Sequence, residues 1–359
     1  METIYDQGRK AFLIKDGDEE MASVPFPFSD KDHQGRDLQM ADAADYSFAT
    51  YYKKDVRELD YRIANVNTGA GGGAPQRVGW MIPFSVLTTE DPAILGEQHM
   101  NQYVFYAYCH LLEKEEIMEL LVDENELGDI LESPNLDDGC LLITCNTRMP
   151  ANVKYKHLEL SLARNGFFVS PTGYSNPHVV QNQELSLIPA SDILKADGTY
   201  LHDYIEDFLQ HHVYDENSFI RFLYLYQIEE VLMDMEMVEL LKDYLYLLEH
   251  NQPNYRKAES AFKDATESKR LAHIVENAGL NSEIAKELDV KCNAFLNSAP
   301  DSFLVQPESI YQVRNHIVHR FRKASGDEPA VKEICDCLEL YLYDLLICYK
   351  APKMNRPNP

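Results

Sequence analysis

Between Ser218 and Glu249 the chain runs without a glycine or a proline, and most of its residues there are apolar or aromatic. Phe219-Ile220-Arg221-Phe222-Leu223-Tyr224-Leu225-Tyr226 leads through Gln227-Ile228-Glu229-Glu230 into Val231-Leu232, and Val238-Glu239-Leu240-Leu241 follows. So long a stretch without a breaker predicts one long helix or two in succession, and its apolar side chains demand partners. Two further runs supply them. Gln306-Pro307-Glu308-Ser309 reads as a helix start, with proline near the first helical position and an acid in the first turn. Ile310, Val313, Ile317 and Phe321 then recur at helical spacing as a buried stripe. Residues 329–349 form the last run, and the three together predict a helical bundle. Tyr224, Tyr226, Tyr244, Tyr246, Tyr341 and Tyr343 fit core and partner-helix contacts better than a base-stacking platform.

The first two hundred residues have a different texture. Residues 79–84, 141–145 and 158–162 read as strands, and Arg164-Asn165-Gly166 followed by Phe167-Phe168-Val169-Ser170 reads as a hairpin return. Residues 93–119 are a helix candidate. The fold class expected is therefore α+β: a mixed α/β domain over residues 1–200 and an all-helical domain over residues 215–350, joined near 190–215. The loop Gly69-Ala70-Gly71-Gly72-Gly73-Ala74-Pro75 lacks both the Lys-Ser/Thr of a phosphate loop and the spaced glycines of a dinucleotide fold. It reads as a surface loop.

Chemistry concentrates in Arg314-Asn315-His316-Ile317-Val318-His319. Arginine offers a planar fork of donors matched to a phosphate, and histidine can move a proton near neutral pH. On a helix Asn315 and His319 lie four apart on one stripe with Arg314 about 100° round, so all three can address one groove. His316 points to another face. Between Ser309 and Gly326 there is no acid, while Arg314, Arg320, Arg322 and Lys323 are present. On a chain of net charge -26 such a basic patch points to an anionic ligand met locally. The same charge opposes sequence-blind nucleic-acid binding.

At these residues the chain resembles the HEPN superfamily of ribonucleases, whose mark is Arg, four to six residues, and His on a late helix, often with a polar residue straight after the Arg. Tyr226-Gln227-Ile228-Glu229-Glu230 is similar to the early helix of Apea-like HEPN proteins, and the resemblance covers about residues 215 to 350. It implies a metal-independent endoribonuclease with its active site at the pairing of two HEPN domains, commonly in bacterial toxin or anti-phage defence systems. Carried onto this chain, Arg314 would bind the scissile phosphate, Asn315 would orient it and His319 would transfer a proton. Glu230 would hold Arg314 or His319. Arg320, Arg322, Lys323 and His316 are the candidate RNA contacts. A HEPN toxin subfamily silenced on a tyrosine carries Tyr two residues after the His; this chain has Phe321 there, which argues against that control. The partners expected are RNA, a second copy of the chain in a homodimer or higher oligomer, and a regulatory or activating protein acting through the N-terminal domain. The alternative is a non-catalytic HEPN-type protein that binds RNA or a partner.

Other classes find no support. No run reaches the roughly 18 apolar residues of a membrane span, and Met1-Glu2-Thr3-Ile4-Tyr5-Asp6 has neither the basic segment nor the apolar core of a signal peptide. The seven cysteines, at 109, 140, 145, 292, 335, 337 and 348, show no C-x-x-C pair and read as buried free thiols in a reducing cytoplasm. Adjacent His211 and His212 would point about 100° apart on a helix, a poor geometry for sharing a metal. Asp137-Asp138 and Glu115-Glu116 read as solvated turns and helix faces. Neither a metal nor a cofactor is therefore expected.

Overall fold

The computed structural model describes the chain except at residues 33, 55–63, 69–75, 88–97, 124, 135, 150–152, 154, 172–173, 180–183, 189–199, 214, 250–265, 280–281, 300–301, 325 and 350–359, and except for certain helix and strand side chains, those of residues 320–324 among them. The glycine-rich loop at 69–75 lies outside the described residues. A β-rich region precedes a helical one, which makes the chain α+β. It divides into two compact units: Met1–Leu158 with Asn165–Ser175 and Val180–Ile188, and Glu159–Arg164 with Asn176–Val179 and Pro189–Pro359. The expected boundary near 190–215 is thus crossed early, by two short segments that belong to the helical unit.

The first unit holds two sheets. Strands β1 (Glu2–Asp6), β2 (Ala11–Asp16) and β3 (Glu19–Pro25) form an antiparallel meander. Strands β4 (Tyr46–Tyr52), β5 (Ala64–Thr68), β6 (Gln76–Pro83), β7 (Gly139–Cys145) and β8 (Glu184–Leu187) form a second sheet in the order β4-β7-β6-β5-β8, antiparallel except for β5 with β8. β6 and β7 are the strands expected at 79–84 and 141–145. After β6 come α1 (Phe84–Leu87), α2 (Gln98–Leu111), α3 (Glu115–Val122) and α4 (Leu127–Leu131). In α2, Val104 through Cys109 are all buried, as befits a helix covered on every side, and Phe105 and Tyr108 meet Phe12 of β2 and Phe26 just past β3. The helix expected over 93–119 is two helices, because Lys114 adopts an extended conformation and starts α3, whose first turn carries Glu115 and Glu116 as helix N-termini favour.

Residues 158–162 are not a strand but the start of helix α5 (Glu159–Arg164), in which Leu160, Ser161, Leu162 and Ala163 are all buried. Gly166, at φ 82, follows that helix rather than turning a hairpin. Phe168 bonds instead to Tyr52, at 2.7 and 2.9 Å. The thiols also differ from expectation: Cys348 is exposed and Cys145 half-buried, while the other five are buried.

His110 of α2 stacks on Phe48 of β4, ring centroids 4.5 Å apart. Burial, and then the charge of Lys114, push its pKa down from 6.5 to about 4. The unfolded chain therefore binds a proton that the folded one refuses, and stability falls as pH drops from about 6.5 towards 4. Trp80, the single tryptophan, is buried in this unit and reports its unfolding. Its fluorescence midpoint in urea should fall between pH 7 and pH 5, and His110→Phe, which keeps a ring on Phe48, should flatten that slope. Equal slopes in the two proteins would show that His110 is not responsible.

The second unit is all helical among the described residues. After α5 it contains α6 (Tyr200–Asp207), which a π-helical turn at Phe208–His212 extends, then α7 (Ser218–Glu249), α8 (Glu267–Ala278), α9 (Glu283–Leu296), α10 (Glu308–Ala324) and α11 (Glu328–Cys348). α7 is a single helix, started by Asn217, whose Oδ1 accepts from the amides of Phe219 and Ile220. α11 is the axis of the unit: every residue from Ile334 to Tyr343 is buried, and α5, α7, α8 and α9 pack on it. Tyr226, Tyr341 and Tyr343 are buried as expected, while Tyr224 stacks on His212 at 3.8 Å. Tyr246 is half-buried, and the Tyr244 side chain is outside those described.

That axis buries acids. Asp336 and Glu339 of α11 meet Arg221 of α7, which donates to Asp336 Oδ1 at 2.6 Å and to Glu339 Oε2. Tyr343 Oη donates to Glu339 Oε1 at 3.0 Å. Asn176 Nδ2 donates to the Asp336 carbonyl at 2.9 Å and to Glu339 Oε2 at 3.2 Å, which fastens the 176–179 segment to α11. Among the described residues no helix is long and apolar enough to cross a membrane.

Candidate active site

The helix that carries the Arg-Asn-His set is fixed at its start by α9. Buried Ser309 donates to Asp289 Oδ1 at 2.6 Å, and Asn293 exchanges two hydrogen bonds with the backbone of Leu304, at 2.7 and 2.8 Å, just before α10 begins. Burial pushes the Asp289 carboxyl up, and the Ser309 hydroxyl partly offsets this. Ile310, Val313 and Ile317 form the inward stripe, each almost fully buried. Their burial sets the helix rotation, so Arg314, Asn315, Val318 and His319 fall towards solvent.

Arg314 is the best-held member. Its Nη2 donates to Glu230 Oε1 at 3.3 Å, its Nη1 donates to Asn315 Oδ1 at 3.3 Å, and its guanidinium carbon lies 5.6 Å from the centre of the Tyr226 ring. Tyr226 and Glu230 are four apart on α7, so one face of that helix supplies both the ring and the carboxylate. The ion pair is partly open to water, with side-chain exposures of 27% and 42%, and so contributes at most about 0.2–1 kcal/mol. Its effect is orientation: the guanidinium stands at the surface with its direction set.

His319 is exposed and makes no hydrogen bond or ion pair with the described residues. His316 packs edge-on to Phe295 of α9, centroids 5.2 Å apart. The α10 backbone continues helical past Arg320, Arg322 and Lys323, whose side chains are outside those described. The structure thus brings Arg314, Asn315 and Glu230 into contact and leaves His319 one turn along the same helix.

Two features had no sequence signal. In the sequence Tyr226 reads only as a core contact, whereas its ring lies under Arg314. Metal-capable donors also meet elsewhere in the helical unit, where none was expected: His178, Glu287 and Cys337 place one ligand atom each within 4.8 Å of one another. Residues so far apart in sequence form no motif. Of the adjacent histidines, His212 stacks on Tyr224 and pairs with Asp207 at 3.4 Å, its ring 6.4 Å from that of His211.

No family model, no curated protein and no solved structure matches the chain.

Proposed function

We propose that the helical unit is a metal-independent endoribonuclease of HEPN type, working as a homodimer whose two Arg-Asn-His sets share one cleft. The observation that carries this reading is the setting of Arg314, a guanidinium aimed by Glu230 and Tyr226 beside Asn315, with an exposed histidine five residues on. A phosphate arriving there displaces a weak, solvated partner rather than a buried one. The attacking group is the 2′-hydroxyl of the RNA, deprotonated with help from His319 while Arg314 stabilises charge building on the phosphate oxygens. Exposed Val238, Leu241 and Leu245 on α7 and Val318 on α10 offer apolar surface for a second copy.

The test is incubation of the purified chain with total RNA in EDTA, followed by analysis of the ends. Cleavage should persist, spare DNA, and leave a 2′,3′-cyclic phosphate and a 5′-hydroxyl. Arg314→Lys should lose nearly as much rate as Arg314→Ala, about 10²–10³-fold, because the ammonium cannot hold two oxygens in one plane. A 5′-phosphate product, or a Lys variant near full rate, contradicts this mechanism. If no RNA is cut yet RNA binds and Arg314→Ala abolishes binding, the non-catalytic reading takes its place.

A further inference from the structure

Cys337 of α11 is fully buried, and its Sγ lies 3.5 Å from His178 Nε2. The other ring nitrogen, His178 Nδ1, lies 3.6 Å from Glu287 Oε2 of α9, and one donor atom from each of the three side chains falls within 4.8 Å of the others. His178 is presented by a local turn: Asn176 Oδ1 accepts from the His178 amide at 3.0 Å, while Asn176 Nδ2 is bound to α11 as described above. Thus three donors of three chemical types are converged by two helices and a clamped turn, all within the helical unit.

A thiol, an imidazole and a carboxylate side by side could be read as a nucleophile with its base and orienter. Two observations oppose that. Cys337 has no exposed surface, and burial, helped by Glu287, pushes its thiol up to about 12. No attacking thiolate is presented to a substrate. The separation of sulfur and nitrogen instead matches a shared ion. Metal–sulfur and metal–nitrogen bonds of about 2.3 and 2.0–2.1 Å at a tetrahedral angle hold the two atoms about 3.5 Å apart. His178 and Glu287 have side-chain exposures of 24% and 42%, so an ion can enter from that side and the carboxylate can turn without repacking the interior.

We propose that Cys337, His178 and Glu287 form a site for a borderline-soft divalent cation, Zn²⁺ by preference, with solvent as the fourth ligand. Sulfur, nitrogen and oxygen donors together suit zinc and disfavour magnesium or calcium, which take oxygen. On binding, the thiol forms the metal–sulfur bond and releases its proton to solvent. The ion would tie the 176–179 segment to α9 and α11. This site takes no part in the cleavage chemistry proposed above and does not depend on it.

The experiment uses the full chain, stripped with a strong chelator, dialysed and titrated with Zn²⁺, then with Co²⁺ as a coloured probe. One zinc per chain is expected, with a cobalt spectrum showing a thiolate charge-transfer band and the visible bands of a tetrahedral site. Cys337→Ser should abolish the charge-transfer band. His178→Gln and Glu287→Gln, at partly exposed positions where folding is undemanding, should each weaken zinc binding at least about tenfold. Failure to bind one equivalent overturns the proposal. So does a thiolate band that survives in a folded Cys337→Ser protein, or zinc affinity unchanged in both glutamine variants. Because metal content is read without RNA, loss of the cleavage reading leaves this result standing.

Discussion

RNA cleavage by the His319→Ala protein is expected to fall about 10²–10⁴-fold, the usual contribution of a positioned general acid or base. Its melting midpoint should not move. The side chain is exposed and makes no hydrogen bond with the described residues, so alanine removes a proton carrier and no packing. His316 supplies the contrast. It lies against Phe295, and His316→Ala should lower the midpoint while costing far less in rate. Single-turnover cleavage and circular dichroism melting on the same samples separate the two roles. Unchanged cleavage by a folded His319→Ala protein would remove that residue from the mechanism and leave Arg314 as a binding group only.

Arg221→Met is expected to destabilise the helical unit by about 3–5 kcal/mol. Asp336 and Glu339 both turn to Arg221 in the interior, and methionine would strip the cation from two buried carboxylates while filling similar volume. The pair itself is weak evidence of stability, since desolvation offsets most of its attraction. A triple change, Arg221→Met with Asp336→Leu and Glu339→Met, should therefore recover much of the loss. Urea unfolding followed by far-ultraviolet circular dichroism reads both. A loss below about 1 kcal/mol for Arg221→Met would mean that water reaches these carboxylates.

The helical half of the fold was legible because its signals are local. Absence of breakers from Ser218 to Glu249 corresponds to one helix, and the proline and acid at 307 and 308 mark the start of α10. Helices α8 and α9 passed unread although Ser282 caps one, and Gly279 and Asn297 end them in the left-handed conformation. Residues 158–162 were illegible for a different reason. A run that short fits either period, and the packing of α5 on α11, with Arg164 donating to Asp344 at 2.8 Å, favours the helix.

For the candidate site, sequence by itself determined that Arg314, Asn315 and His319 share a solvent-facing side of one helix, because helical periodicity and the buried stripe of Ile310, Val313 and Ile317 fix its rotation. Only the tertiary structure decided what meets them. Glu230 and Tyr226 reach Arg314 from another helix, Arg221 finds Asp336 and Glu339, and His178, Glu287 and Cys337 converge from a turn and two helices. Period and capping encode which face of an element is buried. Which distant side chains then touch depends on how whole elements pack, and no local pattern carries that information.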